Sequence, residues 1–104
     1  MQLSEYQERV LDFALPTALS EEYLVPGLAA EAGEVAGKYA KKVRDGKPDN
    51  YVKEMSKEIG DVLWFAAVLA EQYGLSLEDI ASENIAKLAS RQVRGKLSGS
   101  GDNR

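Results

Sequence analysis

Two segments of this sequence repeat one arrangement of acids. Glu31-Ala-Gly-Glu34 and Glu58-Ile-Gly-Asp61 are each acid-x-Gly-acid, with the acids at i and i+3. On a helix such a pair projects from neighbouring points of one face, about 5–6 Å apart at Cβ. Two helices packed along those faces would bring all four carboxylates towards a common point. Clustered carboxylates repel one another, and their pKa values rise unless a cation sits among them. The chain has neither His nor Cys, so the ligands available are oxygens, and the matching cation is hard: magnesium, or manganese in its place. Magnesium keeps several waters and usually shares its shell with substrate phosphates. The chemistry open to such a site is binding of a triphosphate and activation of a water for attack on phosphorus. A single Glu-x-x-Glu is ordinarily a solvated pair. Here each pair flanks an apolar stripe, and each encloses a Gly that costs ~1 kcal/mol relative to Ala inside a helix.

A ridge of the opposite character lies further along. Asn84, Lys87 and Arg91 stand at i, i+3 and i+7, beside Ala81, Ile85 and Leu88. Lys87 and Arg91 suit phosphate oxygens, and Asn84 suits either a phosphate or a sugar hydroxyl. Taken alone, such a ridge is more often a solvated basic face. Lys38 and Lys42, one and two turns after Glu34, read as helpers of the site or as ordinary i, i+4 partners on the helix surface, with partners preferred.

The elements that must position these residues are helical, because the apolar spacing shows no sustained period-2 alternation. A first helix is expected over about 4–15, with Ser4 and Gln7 as a capping box and Pro16 as its stop. Residues 17–25 are ambiguous, since Ser20-Glu21-Glu22 is able to cap a short turn before Pro26-Gly27. A second helix is expected over 27–44, followed by the breaker Asp45-Gly46-Lys47-Pro48-Asp49. A third runs over 50–73 and ends in a Schellman-like stop at Gly74-Leu75. Ser76, with Asp79 three residues on, opens a fourth over 77–94, closed by Gly95. The stretch 96–104 reads as an irregular tail. The whole predicts an all-α, four-helix bundle-like domain covering residues 1–104.

With Glu31 placed at zero, Glu34 falls at about 300°, while Leu28, Ala32, Val35, Ala36, Tyr39 and Val43 fall between about 40° and 140°. With Glu58 at zero, Asp61 again falls at about 300°, and Met55, Ile59, Val62, Ala66, Leu69 and Tyr73 cluster near 60°. The acids thus occupy the same shoulder of the core-facing stripe on both helices. Trp64 falls at about 240°, away from that stripe. It reads as a base-stacking residue or as part of a subunit interface, with the interface preferred.

Composition narrows the classes. The absence of Cys and His excludes disulfide scaffolds, catalytic thiols, His-based triads and the usual zinc sites. A net charge of −4 argues against a nucleic-acid polymer as partner. The longest apolar run, Val62 to Ala70, is nine residues, against ~20 for a bilayer span. MQLSEYQERV lacks the apolar segment of a signal peptide. The expected location is cytoplasmic, with no membrane partner.

In combination, Glu31-x-x-Glu34, Glu58-x-x-Asp61 and Asn84-x-x-Lys87-x-x-x-Arg91 resemble the MazG-like nucleoside triphosphate pyrophosphohydrolases of the all-α NTP pyrophosphatase superfamily. GLAAEAGEVAG, KEIGDVLWFAAVLAEQYGLSLEDIASENIAKLASR and RGKLSGSGDNR read like its short single-domain members. The resemblance implies a helical bundle assembled as a homodimer or homotetramer. It implies magnesium-dependent hydrolysis of nucleoside triphosphates between the α and β phosphates, giving monophosphate and pyrophosphate. It makes Glu31, Glu34, Glu58 and Asp61 the catalytic metal ligands, with one glutamate orienting the water. Asn84, Lys87 and Arg91 become the nucleotide-binding residues; Trp64 is a further substrate-binding candidate from its place on the third helix alone. Phosphoribosyl-ATP hydrolysis is a competing activity on the same scaffold. A non-catalytic helical interaction module or nucleotide sensor is the alternative from another class.

Self-association is also expected from the residues. The third helix is apolar on every face from Val62 to Ala70. Ala29, Gly33 and Gly37 on the second helix, with Gly60 and Ala67 on the third, form a small-residue back face suited to close approach of another backbone. Folding of residues 1–26 over that surface is the alternative within one chain.

Overall fold

Proline and glycine punctuate the chain much as their chemistry demands. A computed structural model describes residues 1–104 as four α-helices: α1, Leu3–Val10; α2, Glu21–Asp45; α3, Tyr51–Gln72; and α4, Leu77–Val93. Short 3-10 turns cover Leu11–Phe13 and Pro16–Ala18. The fold is all-α, as expected, and no helix is long and apolar enough to cross a membrane.

The later helix ends follow the sequence closely. Gly74, at φ 68°, closes α3 with a Schellman pair, Leu75 N–H to the Ala70 carbonyl and Gly74 N–H to that of Glu71. Gly95 closes α4 likewise, with Lys96 N–H donating to the Arg91 carbonyl. The Ser76 hydroxyl accepts from Asp79 N–H at the start of α4.

The first third departs from expectation. Ser4 lies inside α1 and caps nothing, because the N-cap position falls on Gln2. Gln7 does not complete a capping box either; it is buried and turned inward. Its amide donates to Glu71 Oε2 at 3.0 Å and to the Leu75 carbonyl at 2.8 Å, and its oxygen accepts from Leu77 N–H at 2.7 Å. One glutamine thereby pins α1 to the α3–α4 turn and satisfies a donor in the first turn of α4. The α-helix ends at Val10 rather than near 15, since Leu15, held extended by Pro16, cannot continue it. Conversely α2 starts at Glu21, six residues early, and runs through Pro26. Proline there forfeits one backbone bond near the helix start. Leu24, fully buried, holds that first turn against the core.

The core is small: Val10, Leu24, Phe65, Ala67, Val68 and Leu77, flanked by Tyr6, Leu11, Leu28, Trp64 and Leu69. Residues 1–26 cover the apolar end of α3 within the chain, where Ala67, expected on a back face, is completely buried, but they leave Gly33, Gly37 and Gly60 of that face uncovered. Trp64 is not left outward either: it is half-buried and meets Phe65 edge-on, with centroids 5.0 Å apart. Phe65 stacks on Tyr23 at 5.9 Å on its other side. Gly27 packs closely here: a Cβ would overlap the Phe65 ring and force it to shift.

The expected stripe on α2 and α3 is covered only in part. Leu28, Val35, Met55, Val62, Ala66 and Leu69 are half-buried, but Ala32, Ala36 and Tyr39 are exposed, as are Val43 (72%) and Ile59 (58%). The radius of gyration is 16.4 Å, against ~13 Å for a compact domain of about this length.

Candidate metal centre

The α2–α3 hairpin sets the register of the acids. Gly27 faces Phe65, Lys38 faces Glu54 and Glu58, and the Lys42 ammonium sits 5.0 Å from the Tyr51 ring centroid, so the two helices run antiparallel. Between these contacts, Glu31 of α2 meets Glu58 and Asp61 of α3, with one carboxylate oxygen from each lying within 4.8 Å of the others. Glu31 and Glu58 are half-buried and Asp61 is exposed. Glu34, one turn along α2, is exposed and stands outside this triad. Its charge still reaches Glu31.

The electrostatics bear the mark of crowding. The Glu31 carboxyl is pushed above its ordinary value, first by burial and then by the charges of Asp61, Glu58 and Glu34. Burial, followed by the nearby Asp61 charge, also raises the Tyr6 phenol. Tyr6 of α1 thus lies within electrostatic reach of the cluster. No pattern in the sequence links Tyr6 to the acids.

Lys38 is not the i, i+4 partner of Glu34. Its ammonium reaches across the hairpin to Glu58 at 3.6 Å and Glu54 at 3.9 Å. Lys42 also leaves the acids, lying over the rings of Tyr39 and Tyr51 at 5.3 and 5.0 Å. Both lysines thus reach across the α2–α3 seam, Lys38 to acids of α3 and Lys42 to the Tyr51 ring.

The donor set suits a hard divalent ion. It is three carboxylates from two rigid helices, all oxygen, with a fourth acid alongside and only one lysine competing for it. A model of the MazG nucleotide pyrophosphohydrolase domain matches residues 19–94. This chain belongs to the MazG family. Its relatives include the Gene 37 protein of Mycobacterium phage L5, 41% identical over 87 residues, covering 79% of this chain and 75% of that protein. The uncharacterized protein YvdC of Bacillus subtilis (strain 168) is 36% identical over 72 residues, covering 62% of this chain and 68% of YvdC. No solved structure matches. Membership makes this a nucleotide pyrophosphohydrolase domain with a nucleotide substrate, and the MazG match takes in both acid pairs and Asn84, Lys87 and Arg91.

The ridge on α4 is less uniform than its spacing suggests. Asn84 is exposed, and Lys87 is partly so. Arg91 is buried and hydrogen-bonded to Asp102. Asp102 also accepts from Lys87 Nζ at 2.8 Å. The stretch after Gly95, expected to be irregular, is without helix or strand yet folds back onto α4, held by arginines whose long reach the sequence pattern did not reveal.

Proposed function

We propose that this MazG domain hydrolyses ribo- or deoxyribonucleoside triphosphates between the α and β phosphates, releasing nucleoside monophosphate and pyrophosphate, with magnesium as cofactor and manganese as its substitute. The observation that carries this reading is the convergence of Glu31, Glu58 and Asp61. Those three residues, joined by Glu34, hold the ion. When bound, magnesium neutralises phosphate oxygens and lowers the pKa of water. A glutamate of the cluster orients the attacking water and takes its proton. Lys38 sits where it tempers the negative charge around Glu58 and steadies that carboxylate's position. Asn84 and Lys87 bind the nucleotide, and Arg91 supports them from beneath.

A panel of nucleoside and deoxynucleoside triphosphates with magnesium, scored for pyrophosphate against orthophosphate, tests the reading. Stoichiometric pyrophosphate and monophosphate are expected. Orthophosphate release, or no cleavage of any of them, overturns it. Phosphoribosyl-ATP belongs on the same panel, because the acids alone do not distinguish it.

The functional unit in this reading is an oligomer, a dimer or tetramer. Its support is the apolar surface that one chain leaves uncovered, Val43, Ile59 and Ile85 (66%) among it, together with the extended shape. At Gly33, Gly37 and Gly60 nothing beyond the local helix backbone lies within 4 Å of where a Cβ would sit, so another helix has room to approach. Light scattering at low micromolar concentration should give a mass of at least twice 11.4 kDa; an active monomer would refute this.

A further inference from the structure

The segment 96–104 is a built loop, and its purpose is not explained by the acid cluster. Arg104 donates to the carbonyls of Lys96, Leu97 and Gly101 at 2.8–3.0 Å, and Arg94 donates to the Arg104 carbonyl at 2.8 Å. Gly99 and Gly101 supply the positive φ values, 104° and 90°, that let so short a stretch close on itself. The loop is fastened to α4 by Arg91, whose side chain is only 6% exposed and whose Nη2 donates to both the carbonyl and the carboxylate of Asp102. This fastening delivers Asp102 Oδ1 to Lys87 Nζ at 2.8 Å. Beside that contact opens a cavity of about 310 Å³ lined by Ile80, Glu83, Asn84, Lys87 and Asp102.

From this geometry we propose that Asp102 is a positioning residue, which holds the Lys87 ammonium at the mouth of the α4 cavity to receive a phosphate of the nucleotide. The inference rests on the nucleotide-hydrolysing reading above and adds to it a residue outside the acid and ridge motifs. Three physical points support it. A lysine on a four-carbon stem loses much rotamer freedom when it is fixed, and Asp102 imposes that order before substrate arrives. An ammonium has three N–H donors; Asp102 engages one, and two remain for phosphate oxygens. Arg91, almost fully buried, is the anchor of the loop, which leaves Lys87 as the accessible cation of the pair. Asp102 itself stays anionic, because the Lys87 hydrogen bond first, and Arg91 behind it, hold its carboxyl below the ordinary range. The cavity wall pairs acceptors (Glu83, Asp102) with an amide (Asn84) and an apolar side chain (Ile80), a set suited to a sugar hydroxyl and base edge next to the phosphate.

The test compares wild type, Asp102→Asn, Lys87→Ala and the double variant. Two quantities are measured: KM and kcat for a cleaved triphosphate with magnesium, and the Kd of a non-hydrolysable α,β-methylene triphosphate by calorimetry. Asp102→Asn should raise KM and Kd by about 3- to 10-fold, the scale of ordering one long side chain, with kcat changing much less. In the Lys87→Ala background it should change neither. A fall in KM would mean that Asp102 occludes the site, and an equal loss in both backgrounds would mean that it serves the loop alone; either result, or no change, overturns the proposal. Should Asp102→Asn melt below the assay temperature, Asp102→Glu, which displaces the carboxylate by one methylene, takes its place with the same expected pattern. Wild type that binds the analogue without cleaving any triphosphate defeats the hydrolytic reading while the Kd values still judge this one. Wild type that does neither defeats both.

Discussion

Removing one charge from the acid cluster should stabilise the metal-free protein and destroy its response to magnesium. Glu31→Gln keeps shape while deleting a carboxylate that lies within 4.8 Å of two others. At that separation two unit charges repel by about 0.9 kcal/mol in water, and by about four times that at an effective dielectric of 20. Asp61 is exposed and Glu31 only half-buried, so the water-like figure applies. Screening at physiological salt reduces it by about half. Two neighbours together then give about 1 kcal/mol, which for a domain of this size raises Tm by roughly 4–8 °C. Magnesium at a hundred times its Kd would add about 2.7 kcal/mol to wild type and little to the variant. The order of melting should therefore invert: variant above wild type in EDTA, wild type above variant in magnesium. The sign with pH is fixed as well. Because the native Glu31 carboxyl is raised, the native state binds more protons than the unfolded state just above the ordinary glutamate range. The metal-free wild type consequently gains stability as pH falls through that window, where the advantage of Glu31→Gln disappears and magnesium binding weakens. Scanning calorimetry at one protomer concentration, with EDTA or magnesium, reads all of this. A variant that melts below wild type in EDTA, or that keeps the magnesium shift, refutes the clustering argument.

Gly27→Ala gains about 1 kcal/mol of helix propensity but forces Phe65 aside, an overpacking cost of about 1–3 kcal/mol. Urea denaturation should show a net loss that Phe65→Leu relieves in the double variant; additivity of the two would contradict the contact. Gln7→Leu leaves Leu77 N–H and the Leu75 carbonyl without their buried partner and should cost about 1–3 kcal/mol, visible as a lowered urea midpoint. Trp64→Ala should lower Tm through the lost edge-to-face contact, worth about 0.5–1.5 kcal/mol beyond its area, and leave the ranking of bases unchanged. A changed ranking at unchanged assembly would return Trp64 to the nucleotide site.

Periodicity carried the sequence reading a long way where one helix decides the matter. The convergence of Glu31, Glu58 and Asp61 is legible because i, i+3 spacing fixes a face on each helix of the hairpin, although Glu34, on the same face, stays outside the triad. Ser76, Gly74 and Gly95 are legible because caps are local. The departures arise where a distant partner overrides a local preference. Gln7 fits a capping box, yet three hydrogen-bond partners across the fold, Glu71, Leu75 and Leu77, outbid it. Pro26 looks like a boundary, but Leu24 and the Gly27–Phe65 contact hold the turn before it in helix. The charge of Asp61 felt at Tyr6 and the Asp102–Lys87 contact depend on segments brought together by the fold, which no spacing rule encodes. An apolar stripe identifies a face that wants covering, as with Val43 and Ile59, and is silent on what covers it.

Consecutive positions of α1 are linked to both ends of the machinery: Tyr6 feels the charge of Asp61, and Gln7 accepts from Leu77 N–H at the start of α4. Eight residues are too few for a helix to persist alone in water, so α1 exists only while docked. Its undocking would be a single sub-global opening event. In native-state hydrogen exchange the amides of α1 and of Leu77 should then share one opening free energy. A ligand that bridges the acid cluster and α4 should slow the exchange of all of them together, although it touches α1 at no more than its edge.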